Sequence, residues 1–221
     1  MISAVITCAG NGSRFGKDKL FSLIDKEPIF IRTVKQFLAV KEIGEVIVAV
    51  REANKKQFEK WLKKFKLKVK IVEGGAERLN SAYNGVKASR GDYVLIHDGA
   101  RPLATPELIK RIIKAVKKYK AVMAAVETTT CVKLIDLKKM EVNECLDRKK
   151  SWLGQTPQAF KREIIIKAYR QAIKGEIDGK DDCELVRKTG VKVKVVPGEW
   201  TNKKITLQTD LEIIRKWSKY V

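Results

Sequence analysis

The sequence predicts a three-layer α/β fold, with a mostly parallel sheet between two helical layers and a protruding β-arm. Three observations predict it. Short β-branched runs alternate with amphipathic stretches of about a dozen residues, the rhythm of right-handed β-α-β units. Of the 221 residues, 44% are hydrophobic and 33% charged, which suits one domain with a real core and a solvated surface. The alternation then fails between Glu127 and Gln155, where the chain turns polar and lysine-rich. Residues 1–221 are therefore expected to form one domain, with 127–155 as the arm.

The elements follow in order. Ile2–Cys8 reads as a buried strand, and Ile29–Val40 as a helix whose start is set by Pro28. Glu45–Val50 is a second strand. In the next stretch Phe58, Trp61, Leu62 and Phe65 recur at helical spacing among lysines, so Ala53–Phe65 is a helix with one apolar face. Val69–Val72 is a strand stopped by Gly74-Gly75, and Arg78–Ala88 a helix. Asp92–Ile96 is the fourth strand, Pro106–Lys118 the helix after it, and Val122–Val126 the fifth strand. Within the excursion, Cys131–Ile135 and Asn143–Leu146 read as short strands. Beyond it come a helix at Lys161–Ile173, a helix at Asp181–Lys188, a strand at Val191–Val196 and a helix at Thr209–Tyr220.

Composition removes several classes of function. No apolar run approaches the ~18 residues of a membrane span, and Ile2–Cys8 is short and lacks a basic leader, so the expectation is a cytoplasmic protein without a membrane segment. Cys8, Cys131, Cys145 and Cys183 show no metal-binding spacing, and a single histidine, His97, leaves little room for zinc or triad chemistry. The net charge of +21 suits polyanionic ligands. Its lysines are spread over several helix faces without a nucleic-acid motif, which argues against specific nucleic-acid binding.

In a parallel sheet, ligands sit beyond the carboxyl ends of the strands, so the loops there carry the chemistry. After the first strand comes Cys8-Ala-Gly-Asn-Gly-Ser-Arg14-Phe-Gly-Lys17-Asp-Lys19. Its glycines let backbone N–H groups approach phosphate oxygens, and its cations supply charge. It fits neither the Walker A spacing nor the dinucleotide fingerprint, which would need glycine where Phe15 stands. Gly74-Gly75-Ala-Glu-Arg78-Leu-Asn-Ser81 follows the third strand, and His97-Asp98-Gly-Ala-Arg101-Pro102 the fourth. Asp98 on such a loop suits a sugar hydroxyl or a cation, or else caps a turn. His97 reads equally as a structural residue.

Together these loops resemble the 2-C-methyl-D-erythritol 4-phosphate cytidylyltransferase family of sugar-phosphate nucleotidyltransferases. The likeness continues through Asp147-Arg148, Thr156-Pro157-Gln158-Ala159-Phe160, Asp181-Asp182 and Asn202-Lys203-Lys204-Ile205-Thr206, spanning residues 4 to 211. It implies a Rossmann-like nucleotidyltransferase fold that joins CTP to a polyol phosphate with release of pyrophosphate. Gly10 and Gly12 would wrap the triphosphate, and Arg14 and Lys19 would stabilise charge at the α-phosphate. Cys8, Ala9, Gly75, Ala76 and Ser81 would hold the cytosine. Asp98 and Gly99 would lie at the ribose and the phosphates, where Asp98 would meet a magnesium ion carried by the triphosphate. Asp98, Arg101, Cys131, Arg148, Thr156 and Lys204 would form the acceptor side, with Arg148 and Lys204 counted among the catalytic groups. The resemblance further implies a homodimer whose arm places Arg148 in the neighbouring site.

Two positions depart from the family pattern. Cys131 stands where a phosphate-contacting threonine is expected, and Lys180 where a threonine is common. Both bear on the acceptor side. The alternative reading is therefore a ribitol 5-phosphate cytidylyltransferase or another sugar-phosphate nucleotidyltransferase. A non-catalytic basic nucleic-acid-binding protein would require the loops to be coincidental.

Overall fold

The structure, a computed structural model, describes every residue except 11–14, 16, 17 and 221. Strands β1 (Ile2–Thr7), β4 (Ile43–Val50), β5 (Lys70–Glu73), β6 (Tyr93–Asp98), β7 (Ala121–Glu127), β10 (Trp152–Lys161) and β11 (Lys194–Pro197) build one seven-stranded sheet. Its order is β11-β7-β10-β6-β1-β4-β5. β1 pairs in parallel with β4 and β6, β4 with β5, and β7 with β11, whereas β10 runs antiparallel between β6 and β7. The sheet is thus mostly parallel, with one reversed strand near its middle.

The period of two along each central strand divides the core into two layers. Ala4, Ile6, Val48, Val50 and Leu95 face α1 (Ile29–Leu38), α2 (Lys55–Lys64), α4 (Pro106–Tyr119) and α7 (Gln208–Trp217), while Val5, Ile47, Val94 and Ile96 face α3 (Arg78–Ala88), α5 (Arg162–Ile173) and α6 (Asp182–Lys188). Phe30 and Phe58 meet in the first layer with ring centroids 4.5 Å apart, which is why the lysine-rich α2 is held on its one apolar face. Burying each such aromatic contributes roughly 1.5–3 kcal/mol.

The structure corrects the expected elements in three places. β10 was not expected as a strand, and its first residues, Trp152 to Gln155, pair with β7 inside the main sheet. The expected arm of 127–155 therefore rejoins the sheet at Trp152. Pro157 sits in the register shift between Gln155 and Gln158, where no ladder N–H is required of it. Leu23–Ile24 and Glu27–Pro28 form an unexpected hairpin, β2–β3, closed by Asp25 and Lys26, both at positive φ (49° and 67°). The edge strand β11 also occupies only the end of the expected Val191–Val196 run.

The arm itself is a separate antiparallel hairpin of β8 (Lys133–Asp136) and β9 (Glu141–Cys145), followed by a 3₁₀ turn at Arg148–Lys150. Cys131 lies just before β8. Leu137, Met140 and Val142 are 82%, 76% and 61% exposed, an apolar surface that the hairpin cannot bury against itself.

Candidate active site

The strand order reverses between β1 and β6, and their carboxyl ends leave a crevice at that switch point. Cys8, Ala9 and Gly10 leave β1 on this edge, with the Cys8 N–H donating to the Ala49 carbonyl at 2.8 Å. The loop returns at Asp18, whose carboxylate accepts from Leu20 N at 3.3 Å and from Asn54 Nδ2 at 2.5 Å. Arg51 also reaches Asp18, at 3.4 Å. These contacts tie the 3₁₀ turn Lys19–Phe21 to the segment that follows β4.

The second wall is the Gly74-Gly75 loop. Ser81, buried at the start of α3, accepts from the Gly75 N–H at 3.1 Å and donates to the Glu77 carbonyl at 2.9 Å. A Cβ on Gly74 would lie 2.5 Å from the Ala9 Cβ, so only glycine lets this loop lie against the end of β1. Gly99 is equally confined: a Cβ there would lie 2.4 Å from Cys8 Sγ. The Cys8 thiol is buried in this packing, and burial, with Asp18 and Asp98 nearby, pushes its pKa up. It is a neutral filler.

Asp98 closes β6 and is 5% exposed. Arg78 Nε meets its Oδ1 at 3.1 Å, and Arg101 Nε and Lys204 Nζ meet its Oδ2 at 3.3 and 2.9 Å. Burial alone would push the carboxyl up. The cations of Arg78, Lys204 and Arg101 outweigh that and hold it well below the usual carboxylate range. Arg101 is drawn below its ordinary value by burial, which the Asp98 charge only partly offsets. With Asp182, which also pairs with Arg78, the cluster sets three positive groups against two negative ones, a net cationic floor open toward solvent through partly exposed Arg78 and Lys204.

Arg78 is itself braced from the other helical layer. Its Nη1 and Nη2 donate to Asp182 Oδ1 and Oδ2 at 3.1 and 2.9 Å, and Tyr169 OH donates to the same carboxylate at 2.7 Å. Burial opposes the charge on Arg78, but Asp182 and Asp98 raise its pKa further. On the far side, Thr156 Oγ1 accepts the Asp98 N–H at 3.1 Å and lies 3.0 Å from His97 Nδ1. Arg101 Nη1 donates to the Asn202 carbonyl at 2.8 Å, and Asn202 Nδ2 donates to the Thr156 carbonyl at 2.8 Å. This network fastens the 199–204 loop, and with it Lys204, to the bend of β10.

The structure thus brings together Cys8, Ala9, Gly75, Ser81, Asp98, Gly99, Arg101, Thr156 and Lys204 around one crevice, with Gly10 and Ala76 next to them in the chain and Lys19 following Asp18 on the 3₁₀ turn. Gly12 and Arg14 lie outside the described residues. Cys131 and Arg148 are exposed on the arm, and no hydrogen bond or ion pair joins either to the Asp98 cluster. Sequence reasoning left Arg78 without a role, and gave none to Tyr169, Gln155 or Asn202. Both oxygens of Asp98 are occupied by cations, and among the described residues no group of three or more His, Cys, Asp or Glu gathers to hold a metal. A resident magnesium ion anchored on Asp98 does not fit this arrangement.

The crevice can be set beside known proteins. The sequence matches the family of 2-C-methyl-D-erythritol 4-phosphate cytidylyltransferase over residues 2–216. The chain belongs to this family. Relatives named for this cytidylyltransferase include one from Bacillus cereus, 37% identical over 96% of both chains, and one from Caldanaerobacter subterraneus, 39% identical over 96% of both. Among solved structures, a 4-diphosphocytidyl-2C-methyl-D-erythritol synthase from Anaerococcus prevotii superposes with a TM-score of 0.87 at 34% identity, covering 99% of this chain and 98% of that one. A cytidylyltransferase from Thermus thermophilus gives a TM-score of 0.80 at 25% identity, covering 98% of each. The expected nucleotidyltransferase fold is the one observed, with the reversed strand β10 as an addition to it.

Proposed function

We propose that this cytidylyltransferase joins CTP to 2-C-methyl-D-erythritol 4-phosphate, forming 4-diphosphocytidyl-2-C-methyl-D-erythritol and pyrophosphate, a step of non-mevalonate isoprenoid synthesis. The observation that carries the reading is the cationic floor around Asp98, set at the switch point beside a glycine loop, in a chain of this family. Magnesium enters as part of the substrate, on the triphosphate of CTP.

The chemistry needs position and charge more than proton transfer. An oxygen of the acceptor phosphate forms a bond to the α-phosphorus, the bond from that phosphorus to the bridging oxygen breaks, and pyrophosphate departs. Both reactants are polyanions, so the principal barrier is their repulsion. On this reading Gly10, Gly12, Arg14 and Lys19 receive the triphosphate, and Cys8, Ala9, Gly75, Ala76 and Ser81 frame the base, with Asp98 and Gly99 beside the ribose. The Cys8 contact would come from its backbone, since its thiol is buried against Gly99. Lys204 uses one of three ammonium protons on Asp98, which leaves two for the acceptor phosphate. Arg101 lies beside it. Preorganised cations of this kind lower a barrier by about 3 kcal/mol each.

The assembly is read as a homodimer in which the arm carries Cys131 and Arg148 to the partner's site. The exposed apolar residues of the hairpin support this, because a monomer would leave them in water. The test mixes purified protein, CTP and Mg²⁺ with methylerythritol phosphate or ribitol 5-phosphate and measures pyrophosphate. Release with the first alone is expected; release with ribitol phosphate alone overturns the acceptor assignment, and none with either overturns the reading. In mixed dimers, Arg148→Ala and Lys204→Ala subunits are expected to restore part of the activity that each homodimer lacks. No restoration would argue against shared sites.

A further inference from the structure

We propose that His97 is a positioning residue for the acceptor side of this site, holding Asp98, Thr156 and Arg101 in one register as the tautomer protonated on Nε2. The proposal rests on the acceptor-side reading of those three residues, and donors and acceptors fix the tautomer. His97 Nε2 lies 3.0 Å from the Arg101 carbonyl oxygen. A carbonyl only accepts, so Nε2 carries a proton. In a neutral ring Nδ1 is then the acceptor, and Thr156 Oγ, 3.0 Å away, must donate to it. The same hydroxyl accepts the Asp98 N–H at 3.1 Å. The chain of hydrogen bonds therefore runs one way, from Asp98 N–H through Thr156 O–H and the imidazole to the Arg101 carbonyl.

Its surroundings keep the ring neutral and still. His97 is 0% exposed and packs on Phe37 with ring centroids 4.8 Å apart. The charged groups near it are Asp98, Arg101 and Lys204. Burial, aided by the two cations, lowers its pKa to about 4 despite the hydrogen bond to the Arg101 carbonyl and the charge of Asp98. Both ring nitrogens are committed inside the protein, so His97 serves neither as a base nor as a phosphate ligand. Thr156 is affected too: its single hydroxyl proton is spent on His97, so its contribution to the site is the placement of the Asp98 backbone. Asn202 extends the same ring by donating to the Thr156 carbonyl while its own carbonyl receives Arg101.

The experiment exploits the chain's having only one histidine. Long-range ¹H–¹⁵N correlation on ¹⁵N-histidine-labelled protein at pH 7 is expected to show protonated Nε2 and bare Nδ1. An Nδ1–H tautomer, an averaged ring or a cation would overturn the proposal. In kinetics, His97→Phe keeps the packing on Phe37 and removes both hydrogen bonds. It is expected to raise KM for the acceptor about tenfold, the effect of losing one net buried hydrogen bond. KM for CTP should stay within about twofold. His97→Asn, which keeps an acceptor at the Nδ1 position, should recover part of the loss. Equal changes in both KM values, or none, would overturn it. Wild-type protein inactive on methylerythritol phosphate would strike the proposed function instead, and the NMR spectrum alone would then decide the tautomer.

Discussion

Asp98 and His97 are adjacent in the chain and both buried, yet their protonation is set in opposite ways. Asp98 stays ionised because three cations outweigh the cost of burial, whereas His97 stays neutral because nothing does. The histidine has a consequence for stability. Its ordinary value is 6.5 and its folded value about 4, so between these the unfolded chain binds a proton that the folded one does not. Its contribution is fully present above pH 6.5 and is lost as pH falls toward 4, about 3 kcal/mol in all. Urea midpoints should therefore decline between pH 6.5 and 4 in the wild type and much less in His97→Phe. An equal decline in both would place the titration elsewhere. Asp98 adds its own loss only below pH about 4, where the unfolded carboxylate takes up a proton. The sequence made these two residues visible as candidates, but their charge states depend on Arg78, Arg101 and Lys204, which only the fold brings close.

At the scale of elements, Tyr169 on α5 and Asp182 at the start of α6 brace Arg78 at the start of α3, which reaches Asp98 on β6. Tyr169→Phe should cost about 2 kcal/mol, one buried hydrogen bond to a carboxylate. Asp182→Ala should cost about 3 kcal/mol because it strips a buried partner from a cation, discounted because Arg78 remains partly exposed. Urea unfolding checks both, and a smaller loss for Asp182→Ala than for Tyr169→Phe would contradict the brace. This brace was illegible beforehand: Arg78 and Asp182 are 104 residues apart, and no local pattern joins them. Most strands and helices were legible, because β1, β4, α2 and α4 bury regular apolar faces. β10 was not, because Gln155, Thr156 and Gln158 point polar groups inward to hydrogen bonds and Pro157 interrupts the run. The β2–β3 hairpin was hidden for a related reason, since Asp25-Lys26 lacks the glycine that usually marks a tight turn.

For the whole molecule, strand order does what no single loop can. By reversing between β1 and β6, the sheet sets the end of β1 at Cys8 and Ala9, the Gly74-Gly75 loop and the Asp98 cluster around one crevice. The net charge of +21 gives the molecule a field that favours the approach of polyanions. No helix of the described residues is long and apolar enough to cross a membrane. The outline of the arm was only half legible, since polarity marked its start while Trp152–Gln155 belong to the sheet. CTP is expected to bind in this crevice with its α-phosphate facing the Lys204 and Arg101 side of Asp98. A crystal structure with CTP and Mg²⁺ tests it most directly. Cytosine should lie against Gly75 to Ser81 and the triphosphate against residues 10–19; a nucleotide bound anywhere else would mean that this crevice is not the active site.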